Sequence, residues 1–156
     1  MNLILVHADE FSYKVKGRTC IEADTLTEDN KSASVSNALI VFVKVEGCDI
    51  SESNKVLSKA LDIIMRRARE LEVDTIVVYP YASLSPLAPP PKDVIRLVTR
   101  LAEALSRNGV RVIRAPYGWC RSFYLRCRSH PKAELAVRLV PAPSGEIRAT
   151  HLFSSH

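Results

Sequence analysis

The feature that most restricts the fold is the run Ala38-Leu39-Ile40-Val41-Phe42-Val43-Lys44-Val45, in which one lysine interrupts seven apolar residues. Branched and aromatic side chains pack well on a pleated surface, so the run reads as a strand. Apolar residues at nearly every position, rather than at every second, need cover on both faces, which puts this strand in the middle of a sheet. Thr75-Ile76-Val77-Val78-Tyr79 repeats the pattern, and Pro80 stops it by removing a backbone donor.

Elsewhere the spacing changes to that of helices. Val56, Leu57, Ala60, Leu61, Ile64, Met65 and Ala68 recur on one helical face from Asn54 onward, with Lys59, Arg66, Arg67 and Arg69 largely between them. Val94, Leu97, Val98, Leu101 and Leu105 do the same between Asp93 and Asn108, where Asn108-Gly109 supplies a stop. At the start, Leu3 to His7 is a short apolar run closed by Ala8-Asp9-Glu10, and Phe11, Tyr13 and Val15 then alternate with polar residues, as in a first strand turning into a second. Thr25 to Asn37 reads as a polar loop. Val110 to Ile113 and the alternating Trp119 to Arg128 resemble an antiparallel hairpin about the turn Ala115-Pro116-Tyr117-Gly118. Pro131 is suited to open a short helix through Leu139, and Pro141 to Gly145 reads as a linker. Together these predict one α/β domain over residues 1–140, a mixed β-sheet covered by about two long helices, with 141–156 as linker or tail.

With 156 residues and 47% hydrophobic content, one core is affordable and a second domain is not expected. The net charge of +5 is compatible with a polyanionic partner without demanding one. The four cysteines form no Cys-x-x-Cys pair and no finger spacing with histidine, so neither a metal nor a cofactor is expected. No apolar run approaches the roughly 20 residues needed to cross a bilayer, and the opening lacks a signal-peptide pattern, so a soluble cytoplasmic protein without membrane attachment is expected. Glycine-rich phosphate loops, a zinc-binding His-Glu-x-x-His and a Gly-x-Ser-x-Gly elbow are all missing from the sequence.

Three strand-ending loops carry the candidate site: His7-Ala8-Asp9, Tyr79-Pro80-Tyr81-Ala82-Ser83, and Ala115-Pro116-Tyr117-Gly118-Trp119-Cys120-Arg121. Tyr79, Tyr81, Tyr117 and Trp119, interleaved with Arg121, are suited to stacking on an unpaired base, and equally to closing the end of a core. His7, at a strand end, is open between a base or an RNA contact and a structural hydrogen bond, and His130 before Pro131 is similarly open. Glu134 with Arg121 is a candidate ion pair. The prolines of the segment Ser83 to Pro91 stiffen it.

Across roughly residues 1–140 the chain resembles the amino-terminal editing domain of archaeal threonyl-tRNA synthetases. The resemblance lies in Leu3 to Asp9, Val43-Lys44-Val45-Glu46, Val77 to Ser85, Ala115-Pro116-Tyr117-Gly118 and Cys127 to Leu135, in that order and spacing. It implies a fold like that of D-aminoacyl-tRNA deacylases, a homodimer, and hydrolysis of the ester joining serine to the terminal adenosine of threonine tRNA. It further implies that backbone groups near Val45, Pro80 to Ala82 and Tyr117 to Trp119 hold the aminoacyl group and adenine; His7 and Asp9 are expected to bind substrate as well. Where family members carry histidine, lysine and a preceding tyrosine, this chain has Ser83, Arg121 and Cys120; Glu134 matches. Because arginine stays protonated and serine does not titrate as histidine does, backbone amides and the substrate's 2′-OH are expected to assist water attack. Arg121 is then expected to anchor the substrate and Glu134 to orient Arg121 or the water. The alternatives are a D-aminoacyl-tRNA deacylase, a non-catalytic tRNA-binding module and a regulatory module for free amino acids. The catalytic and anticodon-binding segments of a synthetase are absent from the chain, which reads as an excised domain or a compact free-standing editor.

Overall fold

A computed structural model of the chain describes residues 1–82 and 87–154. Among them are β1 (Asn2–Arg18), β2 (Ser32–Lys44), the short α1 (Gly47–Ser51), α2 (Ser53–Glu70), β3 (Thr75–Tyr81), α3 (Pro91–Ser106), β4 (Arg111–Arg114), β5 (Trp119–Cys127), β6 (Glu134–Pro141) and β7 (Ile147–Ser154). All seven strands join one sheet, in the order β4-β3-β2-β1-β6-β7, with β5 also on β1. β2, β3 and β4 are parallel and the other pairings antiparallel, so the sheet is mixed.

The apolar runs lie where two-sided burial demands. β2 is flanked by β1 and β3, and Ala38 to Val43 are buried. One face of this part of the sheet, with Leu3, Leu5, Leu39, Val41, Val43, Ile76 and Val78, packs under α2 and α3. The helices meet it with the residues their spacing singles out, among them Val56, Ala60 and Ile64 of α2 and Val94, Val98 and Leu101 of α3. Removing one such side chain, Leu101 to alanine for example, costs about 2–5 kcal/mol. The opposite face carries Val6, Ala8, Phe11, Tyr13, Ile40, Phe42, Val77 and Tyr79, and among the described residues no helix covers it. It is covered by the sheet itself: β5 curls over, bringing the Phe123 ring 5.5 Å from Tyr79 and 5.9 Å from Phe42.

That curl depends on an irregularity shared by two strands. The buried positions of this face run 6, 8 and then 11, 13 along β1, and 42, 40, 38 and then 35 along β2. The parity changes at Asp9 and Asn37, between the pairs Ala8↔Ala38 and Glu10↔Ser36, and Asp9 is also the extra residue of a bulge in β1 against β5. Asn37 takes a left-handed backbone (φ 48), which asparagine tolerates better than most residues. A bulge increases local twist and bends its strand. Beyond it, the sheet face that lay under the helices turns polar and faces solvent.

Several expectations are corrected. The two opening strands are one 17-residue strand bent at Asp9. The polar segment Thr25 to Asn37 already enters β2 at Ser32, where one face is open to water and serines suffice. The helix expected from Pro131 to Leu139 is β6: Ala133, Leu135, Val137 and Leu139 are all buried, a period of two that outweighs the proline signal. The expected hairpin between Val110–Ile113 and Trp119–Arg128 does not form; β4 lies parallel to β3 and β5 antiparallel to β1. Within the expected linker or tail of 141–156, Ile147–Ser154 pairs with β6 as β7 after a turn at Gly145, and residues 155–156 lie outside the described residues. The segment 83–86 of the proline loop lies outside the described residues.

Candidate functional site

The three parallel strands end side by side, and in open α/β sheets such strand ends are where ligands bind. Val45 follows β2, Pro80-Tyr81-Ala82 closes β3, and Ala115 to Gly118 follows β4. Val45 is buried in the core, while Tyr81 and Ala82 are exposed. Ser83 lies outside the described residues.

Arg121 ties these ends together. It stands on β5 opposite Val15 and points into the curl, 4.0 Å above the ring of Tyr79. One guanidinium nitrogen donates to the Pro116 carbonyl at 2.8 Å and another to the Pro80 carbonyl at 2.5 Å. A planar fork with donors on separate nitrogens suits two acceptors on different loops. Burial lowers the Arg121 guanidinium from its ordinary value, against the favourable influence of Tyr79, Tyr81, Tyr13 and Asp24. The same burial pushes the Tyr13 hydroxyl up to about 12, so both tyrosines beneath the arginine, Tyr13 and Tyr79, stay neutral.

The turn after Pro116 is moulded against residues 19–24. Asp24 is 7% exposed; its carboxylate accepts the Tyr117 N–H at 2.8 Å and both guanidinium nitrogens of Arg114. Its own N–H donates to the Tyr117 carbonyl at 3.0 Å, and its carbonyl accepts the Trp119 indole N–H at 2.9 Å. Gly118, at φ 81, passes so close that an added Cβ would lie 2.8 Å from Ala23 and 2.7 Å from the Cys20 sulfur. The Tyr117 main chain is therefore spent on Asp24. Arg18 sits 5.1 Å over the Trp119 ring, and Cys120 is exposed opposite Gly17.

Beside the strand ends opens a groove of about 550 Å³ lined by Ile4, Phe42, Lys44, Tyr81, Phe123 and Leu125 among others. It is apolar and rimmed by few polar groups, the usual character of a small-molecule site.

His7, Asp9 and Glu134 belong to a second cluster. β5 and β6 lie end to end along the same edge of β1, and the chain between them leaves the sheet from Arg128 to Ala133. His7 bridges the gap, donating its N–H to the Ala133 carbonyl and accepting from the Arg128 N–H. Its ring meets that of His130 at 2.8 Å and Asn37 at 2.9 Å. The proton positions follow from one fixed donor. The Lys132 N–H donates to His130 Nδ1 at 3.1 Å, so His130 Nε2 must carry a proton to give His7 Nδ1, and His7 Nε2–H then donates to Asn37. Both imidazoles are neutral in this arrangement. Burial, His7, Arg128 and Arg67 together lower the pKa of His130. Arg128 also reaches Asn37 and pairs with Asp9 at 2.7 Å. Glu134 lies 3.6 Å from the Cys127 thiol, which burial and the carboxylate push up.

The expected residues thus fall into two places. Val45, Pro80, Tyr81, Ala82, Tyr117, Gly118, Trp119 and Arg121 surround the parallel strand ends, with Cys120 beside them. His7, Asp9 and Glu134 flank the Arg128–Ala133 excursion. Arg121 pairs with Val15 and Glu134 with Val6, nine residues apart on β1, or roughly 30 Å along the strand at about 3.3 Å per residue. Sequence reasoning missed Asp24, Arg114 and Asn37. Asp24 sits 90 residues from Arg114, so no spacing could have linked them. Asn37 ahead of a strand was the only local hint of a left-handed position.

A family model described as the archaea-specific editing domain of threonyl-tRNA synthetase matches residues 1–139. Among curated proteins, the threonine–tRNA ligase of Caldivirga maquilingensis is 37% identical over 95% of this chain, which covers 24% of that protein. The threonine–tRNA ligase of Thermofilum pendens is 38% identical over 90% of the chain and 23% of its own length. That of Pyrococcus furiosus is 30% identical, with the same two coverages. The chain therefore spans about a quarter of the relatives it matches.

Proposed function

We propose that this chain, which belongs to the archaea-specific editing-domain family of threonyl-tRNA synthetase, is a proofreading hydrolase that removes L-serine from mischarged Ser-tRNA(Thr). The need is physical. Serine lacks one methyl group of threonine, and a hydrophobic pocket gains only about 1–3 kcal/mol from such a group, so a second, hydrolytic selection is required.

The observation that carries the reading is the commitment of Arg121 to the carbonyls of Pro80 and Pro116. A guanidinium held in this way is a strut, and it fixes the main chain that follows each carbonyl. In the proposed mechanism, main-chain N–H groups of the Tyr81–Ala82 segment hold the ester carbonyl and stabilise its oxyanion. The terminal adenosine occupies the apolar groove against Tyr81 and Phe123. Water attacks the carbonyl carbon while the ribose 2′-OH orients it and relays its proton to the departing 3′-oxygen. The products are free serine and tRNA with a free 3′-hydroxyl. Holding attacking water and ester in one geometry supplies much of the rate without a side-chain base.

Glu134 enters through a second copy. Since Arg121 and Glu134 lie at opposite ends of β1, a homodimer that brings Glu134 of one protomer to the strand ends of its partner gives both a role at one substrate. The whole reading is tested by following deacylation of Ser-tRNA(Thr) and Thr-tRNA(Thr), each also made with a terminal 2′-deoxyadenosine. Serine is released, threonine is retained, and the deoxy substrate is inert. Release of neither amino acid from the ordinary substrates would leave a tRNA-binding module as the better description.

A further inference from the structure

We propose that the outer face of the β2-β1-β5 ribbon, beyond the irregularity at Asp9 and Asn37, is the docking surface for the acceptor stem of the tRNA. The inference rests on the proofreading reading for the identity of the RNA and on the strand register for everything else. Three cross-strand rows make up the face: Ser36, Glu10 and Arg126; Ser34, Ser12 and Tyr124; Ser32, Lys14 and Ser122. Every one of these is exposed except the half-buried Ser12, and Tyr124 is 54% exposed. Their neighbours on the strands, Phe11, Tyr13, Phe123 and Leu125, point the other way into the curl.

The composition of this face is unusual for one left to water. Serine is a poor strand former, yet five of the nine positions carry it. Small hydroxyls let a sugar-phosphate backbone approach closely and can donate to phosphate oxygens. β1 then continues with Lys16 and Arg18, both exposed, so four cations stand on or beside the ribbon against the single carboxylate of Glu10. Among the described residues the side chains of Lys14, Lys16 and Arg126 enter no ion pair or hydrogen bond. On the helical face several cations are engaged: Arg66 pairs with Asp62, Arg67 with Glu70, Arg96 with Asp93, and Arg100 donates to Ser53 and Asn54, while Lys59 and Arg69 make no such contact among the described residues. Lys14, Lys16 and Arg126 therefore stand together on the ribbon as cations left available to phosphate.

The chemistry matches duplex RNA. An A-form helix is recognised by its shape, its phosphates and its 2′-hydroxyls, which a flat face of hydroxyls and cations can meet without reading bases. The cations also lead somewhere. Lys14, Lys16 and Arg18 run along β1 to the stack of Arg18 on Trp119, beside the Tyr117 turn and the strand ends. A stem laid on the ribbon would thus deliver its 3′ end toward the site.

Binding of uncharged tRNA(Thr) transcript, measured by fluorescence anisotropy over a series of salt concentrations, tests this together with hydrolysis of the minimal ester seryl-adenosine. Lys14→Glu with Arg126→Glu is expected to weaken tRNA binding at least tenfold and to flatten the dependence of log K on log salt by about 1.4–1.8, at about 0.7–0.9 per lost phosphate contact. The milder Lys14→Gln with Arg126→Gln should do the same in smaller measure, and both variants should hydrolyse the minimal ester at the wild-type rate. Unchanged affinity and slope in both variants overturn the docking surface, as does an equal loss from Arg66→Glu with Arg69→Glu on α2. A wild-type chain that binds tRNA through the ribbon but leaves the minimal ester intact overturns only the hydrolytic reading.

Discussion

Truncation of Asp24 to alanine should be among the most damaging single changes to this chain, and its size can be worked out from its contacts. The carboxylate accepts three charge-assisted hydrogen bonds, two from Arg114 and one from the Tyr117 N–H. Removing one member of a buried pair costs about 3–5 kcal/mol, because the other is left as an uncompensated charge. Arg114 is 21% exposed and recovers some hydration, which favours the lower part of that range. The buried Tyr117 N–H loses its partner for a further penalty of about 1–3 kcal/mol. The two losses share one site and do not simply add, so about 3–5 kcal/mol is expected in total. For an m-value of about 2 kcal/mol per molar, this lowers the urea midpoint by about 1.5–2.5 M. The assay has a built-in reporter: Trp119 is the single tryptophan of the sequence and donates its indole N–H to the Asp24 carbonyl. Its emission should move toward that of a hydrated indole in the native baseline, before global unfolding begins. A double-mutant cycle with Arg114→Ala should show coupling well above the 0.3–0.5 kcal/mol typical of independent sites. A loss under about 1 kcal/mol with unchanged Trp119 emission would refute the account of Asp24 as the mould for the turn.

Two further outcomes follow from the same geometry. Gly118→Ala combines a left-handed backbone, at about 1–2 kcal/mol, with a Cβ 2.8 Å from the Ala23 main chain, an overpacking of about 1–3 kcal/mol; a loss of about 2–5 kcal/mol in chemical denaturation is expected, and a loss below 1 kcal/mol would mean that segment 19–24 yields freely. The lowered pKa of His130 makes the unfolded chain bind its proton first, so stability is full above the unfolded value of about 6.5 and declines as pH falls from there toward the folded value. Denaturation measured from pH 8 to 5 should show this slope in the wild type and a weaker one in His130→Gln, whereas equal slopes would show that the His7 and His130 contact is indifferent to protonation.

The parts of the fold visible in the sequence are those where one local period decides the outcome. Val56 to Ala68 and Val94 to Leu105 bury a single stripe, and the runs ending at Val45 and Tyr79 are apolar on both faces, so neither needed tertiary information. β6 and β7 were hidden for different reasons. Around β6, Pro131 and the mixed Lys132-Ala133-Glu134 suggested a helix start, and the alternation of Ala133, Leu135, Val137 and Leu139 was the weaker voice until β1 and β7 paired on either side. β7 borrows its order from β6, with Leu152 and Phe153 exposed and little apolar pattern of its own. The candidate site was legible as loops and illegible as contacts. Tyr117 to Trp119 could be picked out by their aromatic and turn residues, but Asp24, which fixes them, lies in a polar stretch indistinguishable from any solvated loop. The parity change at Asp9 and Asn37, from which both the curl and the polar ribbon follow, requires two strands to be read against each other.

The position of Arg121 bears on how a member of this editing-domain family could act, as proposed above, without an evident side-chain base. A lysine here would offer a compact point charge in place of a planar fork whose separate nitrogens reach two carbonyls on different loops. Arginine reaches both Pro80 and Pro116, stacks on Tyr79, and remains charged despite its burial. Held in this way, Arg121 acts on the main chain as a brace. A brace is enough if the reaction is driven by the shape of the main chain, because the energy of orienting ester and water is then stored in the fold and needs no titrating side chain. It also explains why so much binding is concentrated on one short turn. Asp24, Arg114, Trp119 and Gly118 each restrict the same few backbone atoms, a density of constraint that a loop serving only as a connection between β4 and β5 would not need.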